Sequence, residues 1–394
     1  VRHNQNVDEV TIAIIVGFLS IATYWVRTAL MVIGAHLERR ACRRSANEDI
    51  TFPAVSIIIP ARNEEHRILR CLESLKALDY PSDRLEIIIV NDRSTDRTAH
   101  VVASHIADIP SLRLLTVTEP GSGNLRGKAG ALDVGIRHAH GDIILLTDAD
   151  CAVHPQWVRA HVAQYSSEDV SMVCAYTLIA GTDPFARIQA VEWNTTNTMA
   201  SAGVFYRQFL GCFGNNMSFR RDVYQLLGGY RAIPFSVTED LALLQAVGRI
   251  GCTIRYLCSR ESTVETEACS TMTEYLQQHQ RWVHGARALG WRAYTFVGTT
   301  LLYWIGVIVA IGTTNWVMAS AIILSRIAAD IILNAPSLVQ LDRHQLLWWI
   351  APTTLLFSVL ELSLPFLALS RSIRWKDQVF ETSPHVSISL EEGA

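Results

Sequence analysis

Charge is scarce in this chain. Asp, Glu, Lys and Arg make up 18% of its 394 residues and leave a formal net charge of −3. A protein holding nucleic acid through bulk positive charge needs the opposite balance, so no nucleic-acid partner is expected. The eight cysteines (Cys42, Cys71, Cys151, Cys174, Cys212, Cys252, Cys258, Cys269) show no CxxC or finger-like spacing. That excludes the common zinc modules and predicts free thiols in a reducing, cytosolic compartment. A P-loop is missing too: Gly127-Lys128-Ala129-Gly130 has neither its spacing nor its Ser or Thr.

What is plentiful is apolar. Hydrophobic residues reach 49% and mean hydropathy is +0.20, with the excess gathered at the two ends. Residues 10–33 carry a single charge, Arg27, over about the ~20 residues a bilayer core requires. No basic segment leads into this stretch, which argues against a signal peptide. Arg39, Arg40, Arg43 and Arg44 follow it and mark a cytoplasmic flank. The expected order is an external N-terminus (1–9), a transmembrane helix (10–33) and a basic linker (34–54). Three further apolar segments, 294–312, 316–333 and 346–369, approach spanning length before a polar tail (370–394). Arg326 and Asp330, one turn apart, are expected to pair inside the bundle. Four crossings would put the C-terminus outside, whereas Arg371, Arg374 and Lys376 argue for inside. Either one segment does not fully cross, or the charge rule fails here.

Between these ends, short apolar runs alternate with helical patterns. Val55–Pro60, Leu85–Val90, Leu112–Thr118 and Asp142–Thr147 read as strands. Asn63 reads as the cap of a helix bearing Ile68, Leu69, Leu72, Leu75 and Leu78. Strand and helix in series predict an α/β domain with a mostly parallel sheet, which binds ligands beyond the carboxyl ends of its strands.

Several groups fall at those ends. Asp148 and Asp150 close a buried strand, two apart, so both face one site if the strand pairing continues. Such oxygen ligands suit Mg²⁺ or Mn²⁺ shared with phosphate, although a solvated strand end also carries Asp. Asp92 opens a turn and suits either an Asx turn or a nucleotide contact. Lys128 at a helix start suits a phosphate or plain solvent. Glu239 and Asp240 start a helix, where acids are favoured in any case, but Asp240 also suits a general base. Gln278, Arg281 and Trp282 lie on a helix before an apolar segment, where Arg and Trp also serve as interfacial anchors.

The ordered set is far more specific than its members. Pro60-Ala61-Arg62-Asn63-Glu64, Asn91-Asp92, Gly127-Lys128-Ala129-Gly130, Asp148-Ala149-Asp150, Gly214-Asn215-Asn216, Thr238-Glu239-Asp240 and Gln278-x-x-Arg281-Trp282 follow one another in order. The chain thereby resembles the membrane-integrated family 2 glycosyltransferases over about residues 55–285. Its last motif is that of the hyaluronan, chitin and cellulose synthase branch and related glycolipid enzymes. The resemblance implies a cytosolic GT-A domain, Rossmann-like and mostly parallel, flanked by transmembrane helices in the cell (inner) membrane. It implies a metal-dependent, inverting hexosyltransferase using a UDP- or GDP-sugar with Mg²⁺ or Mn²⁺. By the same resemblance, Pro60, Arg62, Asn63, Glu64, Asp92, Lys128, Asp148 and Arg281 would meet the donor. Asp148 and Asp150 would hold the metal, Asp240 would be the base, and Gln278, Trp282 and Glu239 would frame the acceptor.

Two acceptors fit: a membrane lipid such as diacylglycerol, a ceramide-like lipid, a carotenoid or a hopanoid, or a growing polysaccharide. The apolar helix around Phe185–Phe205 would admit a lipid if it lay on the membrane surface; otherwise it forms core. A lipid is the preferred expectation. A non-catalytic nucleotide-binding membrane sensor is the reading from another class.

Overall fold

The structure, a computed structural model, describes residues 2–45, 52–370, 372–375 and 378–381. A long helix α1 (Arg2–Ser45) precedes β1 (Val55–Ala61), α2 (Ile68–Lys76), β2 (Leu85–Asp92), α3 (Thr98–His105), β3 (Leu112–Val117), α4 (Lys128–Arg137) and β4 (Ile143–Leu146). Then come β5 (Ala152–Val153), α5 (Trp157–Val162), β6 (Val170–Ala175), β7 (Thr177–Ala180), α6 (Pro184–Phe205) and β8 (Met217–Arg220). The domain is completed by α7 (Arg221–Leu226), α8 (Gly229–Ala232), α9 (Glu239–Arg249), β9 (Thr253–Leu257), β10 (Val264–Glu267) and α10 (Met272–Ala286). Apolar helices α11 (Trp291–Gly312), α12 (Trp316–Gln340) and α13 (Ile350–Leu367) follow, then a hairpin of β11 (Ser372–Trp375) and β12 (Gln378–Glu381).

The main sheet has the order β3-β2-β1-β4-β8-β6-β9. β1 to β4 are parallel neighbours, while β8 runs antiparallel between β4 and β6. Both faces are covered, so its strands are apolar throughout rather than alternating. Ile58, Ile88, Val90 and Ile144 pack against Leu132 and Ile136 of α4 on one face. Ile57, Ile59, Ile87 and Leu145 face Leu72, Val102 and Trp157 on the other. Each such buried side chain contributes about 1.5–3 kcal/mol relative to exposure. The parallel strands consequently deliver Ala61, Asp92 and Leu146 to one edge of the sheet.

Three expectations are corrected, and an alternative left open for α6 is decided. Asn63 does not cap α2, which starts at Ile68 with Arg67 before it; Asn63 sits at φ 52 and accepts the Thr95 amide at 2.9 Å. The basic linker is helix as far as Ser45. Glu38 on that helix is buried and accepts the Tyr256 amide of β9 at 3.0 Å; residues 46–51 lie outside the described residues. Helix α6 is no exposed surface helix. Val191, Trp193 and Val204 are buried, and its other side is tied to α12 through Asn194–Asn334 at 2.7 Å and to α1 through Tyr206–Leu30 at 2.9 Å. Third, Arg326 and Asp330 face the bundle but do not pair: Arg326 meets Glu361 of α13 at 2.9 Å, while Asp330 accepts from Tyr24 at 2.7 Å and Thr354 at 2.8 Å.

Among the described residues, four helices are long and apolar enough to cross a membrane. The last of them, α13, has both flanks on the α/β domain. Before it, Arg343 bonds Glu265 of β10 and Arg187 of α6 covers the Trp349 ring at 5.4 Å. After it, Arg287 donates to the Ala368 carbonyl and Gln280 of α10 donates to the Ser372 carbonyl at 3.3 Å. The chain on both sides of α13 therefore meets the same α/β domain. Of the three basic residues read as a C-terminal charge signal, Arg371 and Lys376 lie outside the described residues.

Candidate active site

A cavity of about 220 Å³ opens at the carboxyl edge of the sheet. Of the residues expected to act, Pro60, Arg62, Glu64, Asp92, Lys128, Asp148, Asp150, Glu239, Asp240, Gln278, Arg281 and Trp282 line it. Asn63 does not; its side chain secures the turn after β2.

Asp92 is buried and accepts from Arg93 at 2.7 and 3.1 Å. Strand geometry is not what brings Asp148 and Asp150 together, because β4 ends at Leu146 and a turn follows. They converge because that turn wraps the cavity floor. Burial, and then the charge of Asp148, push the Asp150 carboxyl above its ordinary range. The Cys151 thiol donates to it at 3.4 Å.

Lys128 links the two halves of the site. Gly127 before it stands at φ 63, and a Cβ there would sit 3.1 Å from the Phe380 ring. The chain can thus turn sharply into α4 with Lys128 aimed inward. Its ammonium lies 2.7 Å from Asp148 and 3.3 Å from Glu239. Burial alone would lower its pKa, but these two carboxylates outweigh it and hold the group charged.

Asp240 sits at the start of α9, where its carboxylate accepts the Gly214 amide and its neighbour Leu241's amide, each at 2.8 Å. Gly214 allows that approach, since a Cβ would come within 3.0 Å of Asp240. Burial, followed by the neighbouring charge of Glu239, raises Asp240 to about 6, near the range a general base requires. Burial also lowers Arg281, against the opposing pull of Glu239, Asp240 and Asp148.

The far end is aromatic. Trp193 stacks on Phe213 at 4.2 Å, and Trp282 meets both edge-on at 5.5 and 5.9 Å. Among the described residues, the Trp193 indole N–H and the Gln278 carbonyl oxygen are buried without a hydrogen-bond partner. An orphan donor and an orphan acceptor lining one cavity fit a ligand hydroxyl. The helix carrying Gln278, Arg281 and Trp282 is docked by Glu192 of α6, which accepts from Tyr275 and meets His279 at 2.6 Å. Burial works against charge on His279, but Glu192 prevails and raises its pKa. Glu192→Gln should cost on the order of 3–5 kcal/mol, as breaking a buried pair does. A group with a raised folded pKa supports the fold below its unfolded value of 6.5 and loses this as pH climbs through the raised one. The drop in melting temperature should accordingly be largest in acid and shrink with rising pH.

Among the wall residues that escaped the sequence reading are Phe213, Phe235, Ile373 and Phe380. The last two belong to the C-terminal hairpin. Phe380 stacks on Phe235 at 5.6 Å. Gln378, with its amide oxygen turned toward them, accepts from Arg62 at 3.0 Å and Arg93 at 3.3 Å. Single aromatics in a loop or a short hairpin carry no periodic signal. Phe380→Ala should raise the KM for the donor about two- to tenfold with little change in kcat, the scale of one lost aromatic pair; steady-state kinetics decide it.

The family model described as "Glycosyl transferase family group 2" matches residues 143–367, and that described as "Glycosyl transferase family 2" matches residues 56–228. The chain is a family 2 glycosyltransferase. The transferase is 31% identical to a probable glycosyltransferase, YdaM, of Bacillus subtilis over 238 residues, 59% of this chain and 55% of that protein. It is 29% identical to a beta-monoglucosyldiacylglycerol synthase of Synechocystis over 244 residues, 60% of this chain and 48% of that one. It thus spans about half the length of the curated relatives it matches. Among solved structures, the mannosyltransferase PcManGT of Pyrobaculum calidifontis, in complex with GDP-Man and Mn²⁺, aligns with TM-score 0.53 at 21% identity. That alignment covers 85% of this chain and 99% of the other, so the transferase shares its GT-A fold.

Proposed function

We propose that the transferase moves one sugar from a nucleotide-sugar donor to the hydroxyl of a membrane lipid, with inversion. The observation that carries the lipid is the position of the aromatic end. It is built on α6, whose opposite side packs on α1 and α12, two helices apolar enough to cross a membrane. An apolar alcohol would reach Trp193, Phe213 and Trp282 from the bilayer without leaving it. Relatives named beta-monoglucosyldiacylglycerol synthase favour the same class of acceptor.

In this reading Asp92 and Arg62 hold the nucleotide, while Lys128 and Arg281 face the diphosphate. Asp240 takes the proton of the acceptor hydroxyl as its oxygen attacks the anomeric carbon from the face opposite the leaving group, so no protein nucleophile is needed. Among the described residues, no cluster of three or more His, Cys, Asp or Glu holds a metal alone. Asp148 and Asp150 still fit one, because two hard carboxylates leave positions for phosphate oxygens. A divalent cation held there supplies charge compensation to the departing nucleoside diphosphate. The arginines at the foot of α1 support a cytosolic active site in the cell membrane.

The test is incubation of membranes containing the transferase with a panel of labelled nucleotide sugars. Label extracted into organic solvent is the expected result. A long water-soluble or insoluble polymer would replace the lipid with a polysaccharide acceptor, and absence of transfer with every donor would leave the sensor reading.

A further inference from the structure

A second cavity, of about 410 Å³, lies away from the active site, where the end of α1 meets the catalytic domain. Arg39, Cys42 and Arg43 of α1, Arg159 and Gln164, Cys258 and Glu261, and Gln340 at the end of α12 contribute to its wall. Its size falls in the usual range for a small-molecule site, about 300–1,000 Å³.

The side chain that gives this cavity its character is Arg39. It is only 9% exposed, and among the described residues one of its terminal nitrogens is buried without a hydrogen-bond partner. Its neighbour Glu38 does not serve it, being directed to Tyr256 and Arg255. Burial pushes the Cys258 thiol up to about 11, and the largest opposing influence is Arg39, which places the guanidinium at the cavity wall. A buried cation with a free N–H is costly unless an anion answers it. Gln164 adds a second orphan, its side-chain oxygen, while its amide nitrogen donates to the Cys42 carbonyl at 3.2 Å. Arg43 is exposed at the mouth. Arg159, already engaged by Asp79 at 2.9 Å, adds positive potential. Glu261 is the only carboxylate among the lining residues.

Position narrows the anion. Arg39 lies six residues beyond Ile33, where the apolar run ends, and Gln340 seven beyond Leu333. At 1.5 Å per residue both stand roughly 10 Å past the apolar segments, close to the boundary between headgroups and cytosol for a bilayer of ~30 Å core and ~40–45 Å total thickness. Basic pockets between membrane helices on the cytoplasmic side suit anionic headgroups.

We propose that this cavity binds a phosphate group, that of an anionic phospholipid headgroup, with Arg39 as its buried ligand and Arg43 at its entrance. A headgroup hydroxyl donates to the Gln164 side-chain oxygen. The phosphate would pin α1 and α12 to the catalytic domain at a place separate from the active site.

The test is thermal unfolding of the purified full chain in detergent micelles, with phosphatidylglycerol, phosphatidylcholine or inorganic phosphate added. Phosphatidylglycerol should raise the midpoint in a saturable way and phosphatidylcholine should not. Arg39→Met should abolish that rise, yet raise the midpoint of the lipid-free chain, because it removes a buried charge that lacks an anion. A merely structural arginine would do the opposite. Arg43→Gln, an exposed change that spares the fold, should weaken the apparent affinity roughly fivefold. An equal rise with inorganic phosphate would assign the site to the free anion; a rise confined to the lipid assigns it to a headgroup. No rise with either, or a rise unchanged in Arg43→Gln and in an Arg39→Met chain that folds, overturns the proposal.

Discussion

Asp240→Asn should lower sugar transfer by about 10²–10⁴-fold, the usual worth of a positioned general base, while the donor still binds. The change is nearly isosteric, and an amide oxygen can still accept from Gly214 or Leu241. The pH dependence follows from the same carboxyl. With its pKa raised to about 6, the base is ionised above that pH. On the acid side kcat/KM should therefore fall about tenfold per pH unit. Stability moves in the opposite direction. A carboxyl raised from 3.8 to about 6 favours the fold fully below the lower value and loses that as pH rises through the upper one. At neutral pH the Asn variant should be at least as heat-stable as the parent although inactive. That combination separates a lost base from a damaged fold. Transfer retained within threefold would remove Asp240 from the role.

The second large effect is expected at Asp150. Substitution by Asn should cost roughly 10²-fold or more, since charge compensation of a leaving diphosphate is worth several kcal/mol. It should also raise the Mn²⁺ concentration needed for half-maximal transfer, and a chelator should silence the parent reversibly. Asp148→Asn should behave differently, because Asp148 also holds Lys128 at 2.7 Å. Losing it frees the ammonium to settle on Glu239, so donor KM should suffer along with metal dependence. If the parent works fully in chelator and Asp150→Asn retains most activity, the two carboxylates are not metal ligands.

The sheet and much of the site were legible in the sequence for a physical reason. Runs such as Ile57-Ile58-Ile59 and Ile87-Ile88-Ile89 admit a strand covered on both faces, and the polar residues that end them must lie at its edge. Lys128 and Asp240 were legible because helix starts expose them. What the sequence left out depends on contacts distant along the chain. Arg326 has an acid one turn away, yet Glu361 of another helix takes it. The arginines from Arg39 to Arg44 signal a change of environment, which composition cannot distinguish from the end of a helix; helix α1 continues through them. Apolar length identified α13 but cannot tell a segment that crosses from one whose flanks return to the same domain. Phe380 lies in a stretch read as a polar tail, and only the return of α13 makes it a wall of the site.

That return also bears on the order of assembly during synthesis. Domains form as units, with N-terminal parts first, so the sheet and the polar floor of the site can be in place before α13 emerges. Helix α13 has Thr354 on Asp330 and Glu361 on Arg326, partners made earlier in translation. Ile373 and Phe380 come later still. The hairpin wall of the cavity is therefore a late event in biogenesis, and a nascent chain released before it carries Asp148, Asp150 and Asp240 in an unfinished pocket.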